Sequence, residues 1–216
     1  MADQLTIYNE ALGHLGERRL LSLMENREPR RVLDSYWAGV VAYCLEQGLF
    51  RFAKKVVQID ADSTVPAFGY NYRFAIPEDR IRTVVISSSP DLDPPLLQYN
   101  EEAGFWYANA TPLFVSFISN DPTYGMNLGA WPQAFGDYVT KRLARQSCKR
   151  VTGSEAMLKG PGGLIEQEDK ARRVTKANDA MNDPPGLPPV PFWVRARRGA
   201  FGPGGLSFGS GGTGEN

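Results

Sequence analysis

The chain has 216 residues, and 24 Lys and Arg balance 24 Asp and Glu beside a single His, so the formal net charge is zero. That length supports a substantial core, while the neutral balance argues against a dedicated nucleic-acid binder, which carries a basic excess. Glycine and proline, 22 and 16 residues, make up roughly 18% against a usual ~12%, and fifteen of them lie in residues 182–216. The composition is that of a globular body followed by a Gly/Pro-rich arm.

In chain order, Asp3 is placed to cap a first helix whose Leu5, Tyr8, Leu12 and Leu15 recur at helical spacing. Gly13 and Gly16 close it, and Glu17, Arg18 and Arg19 form a polar connector. A second helix is expected from Asn26 as cap with Pro29 in its first turn. Its broad apolar face holds Leu33, Tyr36, Trp37, Val40, Tyr43 and Cys44, and Gly48 stops it.

The period then changes from helical to strand-like. Residues 56–59, 71–76, 81–87, 96–99, 105–107 and 113–119 are short runs rich in β-branched and aromatic side chains, separated by turn signals, among them residues 100–104. Close spacing implies antiparallel pairing, because parallel strands need longer crossovers. Helix returns after Trp131-Pro132, with Phe135, Tyr138, Val139 and Leu143 as its stripe and Lys141, Arg145 and Lys149 along another side. A last helix over 164–181 carries acid-before-base pairs Glu166/Lys170, Glu168/Arg172 and Asp169/Arg173 at the favourable spacing. Its apolar stripe is thin, so it needs a neighbour or stays solvated. The reading is α+β: a helical body (1–50 and 131–181), an inserted small antiparallel β domain (51–130) and an extended arm (182–216). The two helical parts are expected to pack as one bundle, face to face through Trp37 and Phe135.

Catalytic chemistry is poorly supported. With His14 as the sole histidine, His-pair metal sites are excluded, and no local signature pairs it with Cys44 or Cys148. These two cysteines read as buried thiols of a reducing compartment. Asp91/Asp93 and Glu101/Glu102 lie in turn-like loops rather than a recognisable cleft. The glycine clusters at 160–163 and 202–205 lack the strand–loop–helix setting and Lys-Ser/Thr of a phosphate loop. The sequon at Asn109 is set aside, because no leader-like segment is expected at the N-terminus. No catalytic, cofactor or metal residue is assigned, and no run reaches the ~20 apolar residues of a membrane span.

The arm is different from a plain linker. Prolines at 184, 185, 188, 189 and 191 favour an extended spacer, and Phe192, Trp193, Arg195, Arg197, Arg198, Phe201 and Phe208 punctuate it with residue types enriched at interface hot spots.

The ordered motifs carry a family resemblance. Asn9-Glu10-Ala11-Leu12-Gly13-His14-Leu15-Gly16-Glu17 followed by Ser22-Leu23, then Phe52-Ala53, Tyr70-Asn71-Tyr72-Arg73-Phe74-Ala75-Ile76-Pro77-Glu78-Asp79, Trp131-Pro132 leading to Phe135 and Asp137, and the acidic start of the last helix follow one another. Together they resemble the tail tubular protein A family, the head-to-tail adaptors of short-tailed bacteriophages. The resemblance covers residues 5–181 and implies a helical body with an inserted β domain. It implies a homo-oligomeric ring, a dodecamer, between the capsid portal protein and the tail nozzle protein. Double-stranded DNA would pass through the centre without specific binding. The protein would be assembled in the host cytoplasm and reside in the virion tail.

On that reading the arm docks on the portal through Pro191, Phe192, Trp193, Arg195, Arg197, Arg198, Phe201 and Phe208. Lys141, Arg145 and Lys149 are expected at a subunit or portal contact. The acid-richer segment 51–136 is expected to contribute more to the channel lining, because a conduit should not grip phosphates. Some adaptors of this kind are credited with lytic activity, so the alternative is a tail-associated, muramidase-like cell-wall-degrading enzyme.

Overall fold

The computed structural model describes residues 3–67 and 69–182. The first helix, α1, spans Gln4–His14 and buries Ile7, Tyr8, Ala11 and Leu12 as one stripe. Asp3 occupies the N-cap position, although its side chain makes no capping bond. Gly16 takes a positive φ of 72°, which lets the Glu17 amide return to the Leu12 carbonyl at 2.9 Å and closes the helix.

α2 runs Glu28–Glu46 with Pro29 in its first turn, where a missing amide costs nothing. Arg27 rather than Asn26 takes the N-cap position, because the preceding residues are held as a connector by other bonds. Gly48 lies beyond the helix end, and a Cβ there would meet the Phe50 ring at 2.7 Å. Its role is therefore to admit that ring beneath the chain.

Six strands follow, all paired antiparallel: β1 (Lys54–Ile59), β2 (Tyr72–Ala75), β3 (Arg80–Ser87), β4 (Tyr99–Glu102), β5 (Phe105–Ala108) and β6 (Leu113–Ser119). They form two three-stranded sheets in the orders β1-β6-β3 and β2-β5-β4. Five strands fall where the β-rich runs predict them. β4 does not: it lies over the expected turn, and residues 96–98 precede it as loop. The reason is that all four β4 residues are exposed on a sheet edge, so no buried alternation marks them. Ala103 and Gly104, both at positive φ (50° and 82°), make the two-residue hairpin into β5.

β6 sits at the centre. Its Leu113, Val115 and Phe117 join Phe74, Ile86, Trp106 and Ala108 in a core between the two sheets. The next residue on the opposite face, Ile118, joins the helical core instead, with Ile81 and Val84 of β3 packed against it. Period-two alternation thus makes the first sheet a wall shared by two apolar cores.

α3 (Gln133–Thr152) and α4 (Leu164–Met181) complete the body. The expected bundle forms: Leu33, Trp37 and Val40 share one cluster with Phe135, Val139 and Leu143. A chain of aromatic contacts crosses it, Tyr8 to Trp37 at 5.5 Å, Trp37 to Trp131 at 6.0 Å and Trp131 to Phe135 at 4.9 Å between ring centroids. α3 ends on Gly153 at φ 68°, the left-handed position glycine favours.

Among the described residues the architecture is therefore mixed α+β, four helices and two small antiparallel sheets. The described residues up to Met181 belong to one compact unit. The arm, with its expected docking residues Pro191, Phe192, Trp193, Arg195, Arg197, Arg198, Phe201 and Phe208, lies outside the described residues.

Candidate interaction surfaces

The connector between α1 and α2, residues 15–27, is built from inside. Asn9 holds it by both backbone groups of one residue, its amide donating to the Leu20 carbonyl (3.1 Å) and its oxygen accepting the Leu20 amide (2.7 Å). Leu15 and Leu20 are buried. Arg27 donates to the carbonyls of Arg18 and Arg19, and the Leu21 amide bonds the Glu25 carboxylate at 2.9 Å. On this fixed loop Leu21 is 81% and Met24 90% exposed. The sequence marked the connector as polar; its outward apolar tip is what that reading missed. Val65, Leu97 and Met181 are further large apolar side chains on the surface, Leu97 being 86% exposed in the loop before β4.

The three basic residues expected at a contact on α3 divide. Arg145 donates to Glu168 of α4 at 2.8 Å, and Arg142 reaches the other oxygen at 3.2 Å. Arg142 also lies over the Tyr43 ring, 4.0 Å from its centroid. Lys149 pairs with Glu155 at 2.9 Å on an open surface. Each raises or lowers the other: the Glu155 carboxylate holds the lysine above its ordinary value, and the lysine holds Glu155 below its own. Lys141 remains half-buried near His14, whose pKa is lowered by burial and by that lysine's charge.

Glu168 was expected to pair along its helix with Arg172. Instead it is 3% exposed and faces α3, and Arg172 takes Asp169 at 3.0 Å. The helical spacing is right, but the buried side of α4 passes through Glu168, so tertiary partners win over local ones.

A second polar knot ties β1, β3 and β6 near their junction with the helices. Lys55 Nζ lies 2.8 Å from Asp79 and 3.4 Å from Asp121. The Ser119 hydroxyl donates to Asp79 at 2.6 Å and accepts the Asp121 amide at 3.0 Å. Burial alone would raise Asp79, but the Lys55 and Ser119 bonds outweigh it and hold the carboxyl below its ordinary range. Asp121 is lowered by the Thr123 backbone amide first and by Lys55 after it. Beside the knot, the Gly125 amide donates to the Ser119 carbonyl at 3.1 Å and its own carbonyl accepts the Trp131 indole at 2.8 Å.

The reactive residue types lie apart. The Cys44 thiol is fully buried and pushed far up by desolvation, so it is not a nucleophile. Cys148 is buried and donates to the Ser154 carbonyl at 3.5 Å. Glu101 is held by Arg80 at 2.6 Å and by the Trp106 indole at 3.1 Å, while Glu102 is exposed beside it. Among the described residues no group of three His, Cys, Asp or Glu is placed to hold a metal ion, and no helix is long and apolar enough to cross a membrane. Comparison with protein-family models finds no match, and comparison with curated proteins finds none either.

Proposed function

We propose that the chain is a structural virion protein, a ring-forming head-to-tail adaptor of the tail tubular protein A kind. In this reading about twelve copies form a closed ring between the portal and the tail nozzle. DNA passes through without specific binding, and the subunit performs no catalysis and holds no cofactor. The resemblance of the ordered motifs motivates the reading. The observation that carries it furthest is the pair Leu21 and Met24, displayed on a connector whose shape is held by six buried or bonded residues of its own chain. In this reading Leu21 and Met24 are an apolar contact for a neighbouring subunit. The motif's Asn9 and Gly16 are the residues that shape this connector, which gives the quoted sequence pattern a physical role.

The arm, residues 183–216, is assigned to the portal in the same reading. Mixing the full chain with portal rings should add a mass of about 290 kDa, twelve times the 23.9 kDa chain. Deleting residues 183–216 should leave a folded body that no longer co-sediments with portal. A chain that stays monomeric with portal present overturns the adaptor reading.

A further inference from the structure

A cleft of about 650 Å³ lies where residues 158–160 face the first half of α4. Leu158 and Ile165, both half-buried, line it together with the exposed cations Lys159, Lys170 and Arg173 and the two acids Glu166 and Asp169. The helix supplies two acids that should neutralise these cations at the next turn, Glu166 for Lys170 and Asp169 for Arg173. Neither does. Glu166 accepts the Gly162 amide at 2.8 Å, and Asp169 pairs with Arg172 at 3.0 Å. Lys170 and Arg173 are left without a hydrogen bond or ion pair among the described residues. Lys159 acts at a distance on Glu155, which Lys149 already holds.

We infer that this cleft docks an acidic peptide segment of a partner protein, with one aliphatic side chain seated between Leu158 and Ile165. Charge complementarity names the occupant. Three cations outnumber the two acids, which the Gly162 amide and Arg172 already engage, and a segment carrying carboxylates on either side of a leucine satisfies both the surplus cations and the apolar pair. A DNA duplex offers the charge but no aliphatic group for that pair. The cleft is a second basic contact surface beside the α3 row of Lys141, Arg145 and Lys149, two of which also pair within the chain. The inference deepens the adaptor reading by naming the chemistry of one partner segment, and it is tested without the ring.

The probe is a short fluorescein-labelled peptide of glutamates flanking a single leucine, titrated with the full chain and read by anisotropy. Binding is expected to weaken at least about tenfold in the double reversal Lys170→Glu/Arg173→Glu. The milder Lys170→Gln/Arg173→Gln should weaken it less. Lys176→Glu, on a different cleft with Glu46 and Arg82, should leave it unchanged. Replacing the leucine by serine, or the glutamates by glutamines, should each reduce binding, and added salt should reduce it further. All variants alter exposed side chains, so an unchanged melting curve accompanies each. No binding of the peptide, equal binding by both double variants and the parent, or a labelled DNA duplex outcompeting the peptide at these residues overturns the inference. Ring mass with portal, measured separately, reports on the adaptor reading alone.

Discussion

Removing Glu168 should loosen α4 from the body more than any other single polar change. The carboxylate is buried, its partner Arg142 is 18% exposed at the side chain, and Arg145 is 35% exposed. Breaking a buried ion pair from one side costs about 3–5 kcal/mol, because the remaining charge stays desolvated. Arg145 can turn to water, and Arg142 keeps its stacking on Tyr43, so the lower end, about 3 kcal/mol, applies to Glu168→Ala. For a chain of this size that corresponds to a fall of about 6–12 °C in Tm. Glu168→Gln, which keeps one hydrogen bond without the charge, should cost about half as much. Arg145→Ala should cost about 1 kcal/mol or less, as a partly solvated pair does. Thermal unfolding by circular dichroism gives the totals, and amide exchange should show α4 opening before α2 and α3 in the alanine variant. A Glu168→Ala protein within about 1 kcal/mol of the parent, with α4 protected as before, refutes the claim that this pair anchors the helix.

Trp37→Ala should destabilise by about 3–5 kcal/mol, since it empties a buried ring site and removes contacts to Tyr8 and Trp131; an unchanged urea midpoint would refute its place at the bundle centre. Gly125→Ala should cost about 3 kcal/mol, because the new methyl collides with the Ser119 carbonyl and meets Leu45 Cδ1 at 2.8 Å. Measured loss below about 0.5 kcal/mol would mean the loop shifts freely. The Lys55 knot should be sensitive to pH at both extremes. Asp79 and Asp121 are held below their ordinary values, so their contribution is present above about pH 4 and lost as pH falls through the folded pKa. Lys55 is held above its own value, mainly by the Asp79 bond, so its contribution is present below about pH 10 and lost above. The stability difference between the parent and Lys55→Met should therefore be flat from about pH 5 to 10 and shrink below pH 4; a difference constant down to pH 3 contradicts the assignment.

α1, α2, α3 and five strands were legible because their apolar and β-branched residues recur with the period of the element. α4 was legible in extent but not in its packing. Its buried line runs Leu164, Glu168, Ala171 and Thr175, so half of the stripe is polar and reads as solvated. Those polar members bond across to α3, Glu168 to two arginines and Thr175 Oγ1 to the Ala134 carbonyl at 2.7 Å. β4 was hidden for the opposite reason, being ordered by backbone pairing with nothing to bury. For the surfaces, sequence spacing placed the α3 cations on one side of their helix, yet could not show that Glu168 and Glu155 claim two of them. The free cations of the cleft became visible only once the acids beside them were seen to be engaged elsewhere. Exposure of Leu21 and Met24 was likewise unreadable, since one connector carries buried leucines at 15 and 20 and an exposed one at 21.

The first sheet's double duty has a consequence for anyone dissecting the protein. β6 lends alternate side chains to two cores, so neither half owns it. A fragment cut to contain the strands alone would turn Ile118, Ile81 and Val84 outward into water. A body stripped of its strands would lose Ile118, Ile81 and Val84 from its own core. Splicing this β segment onto another scaffold therefore requires carrying a replacement for the helical face. Conversely, loops at the far edge of the second sheet, such as the Ala103-Gly104 hairpin, can be lengthened or tagged with little effect on either core, which makes that hairpin the natural place for a label.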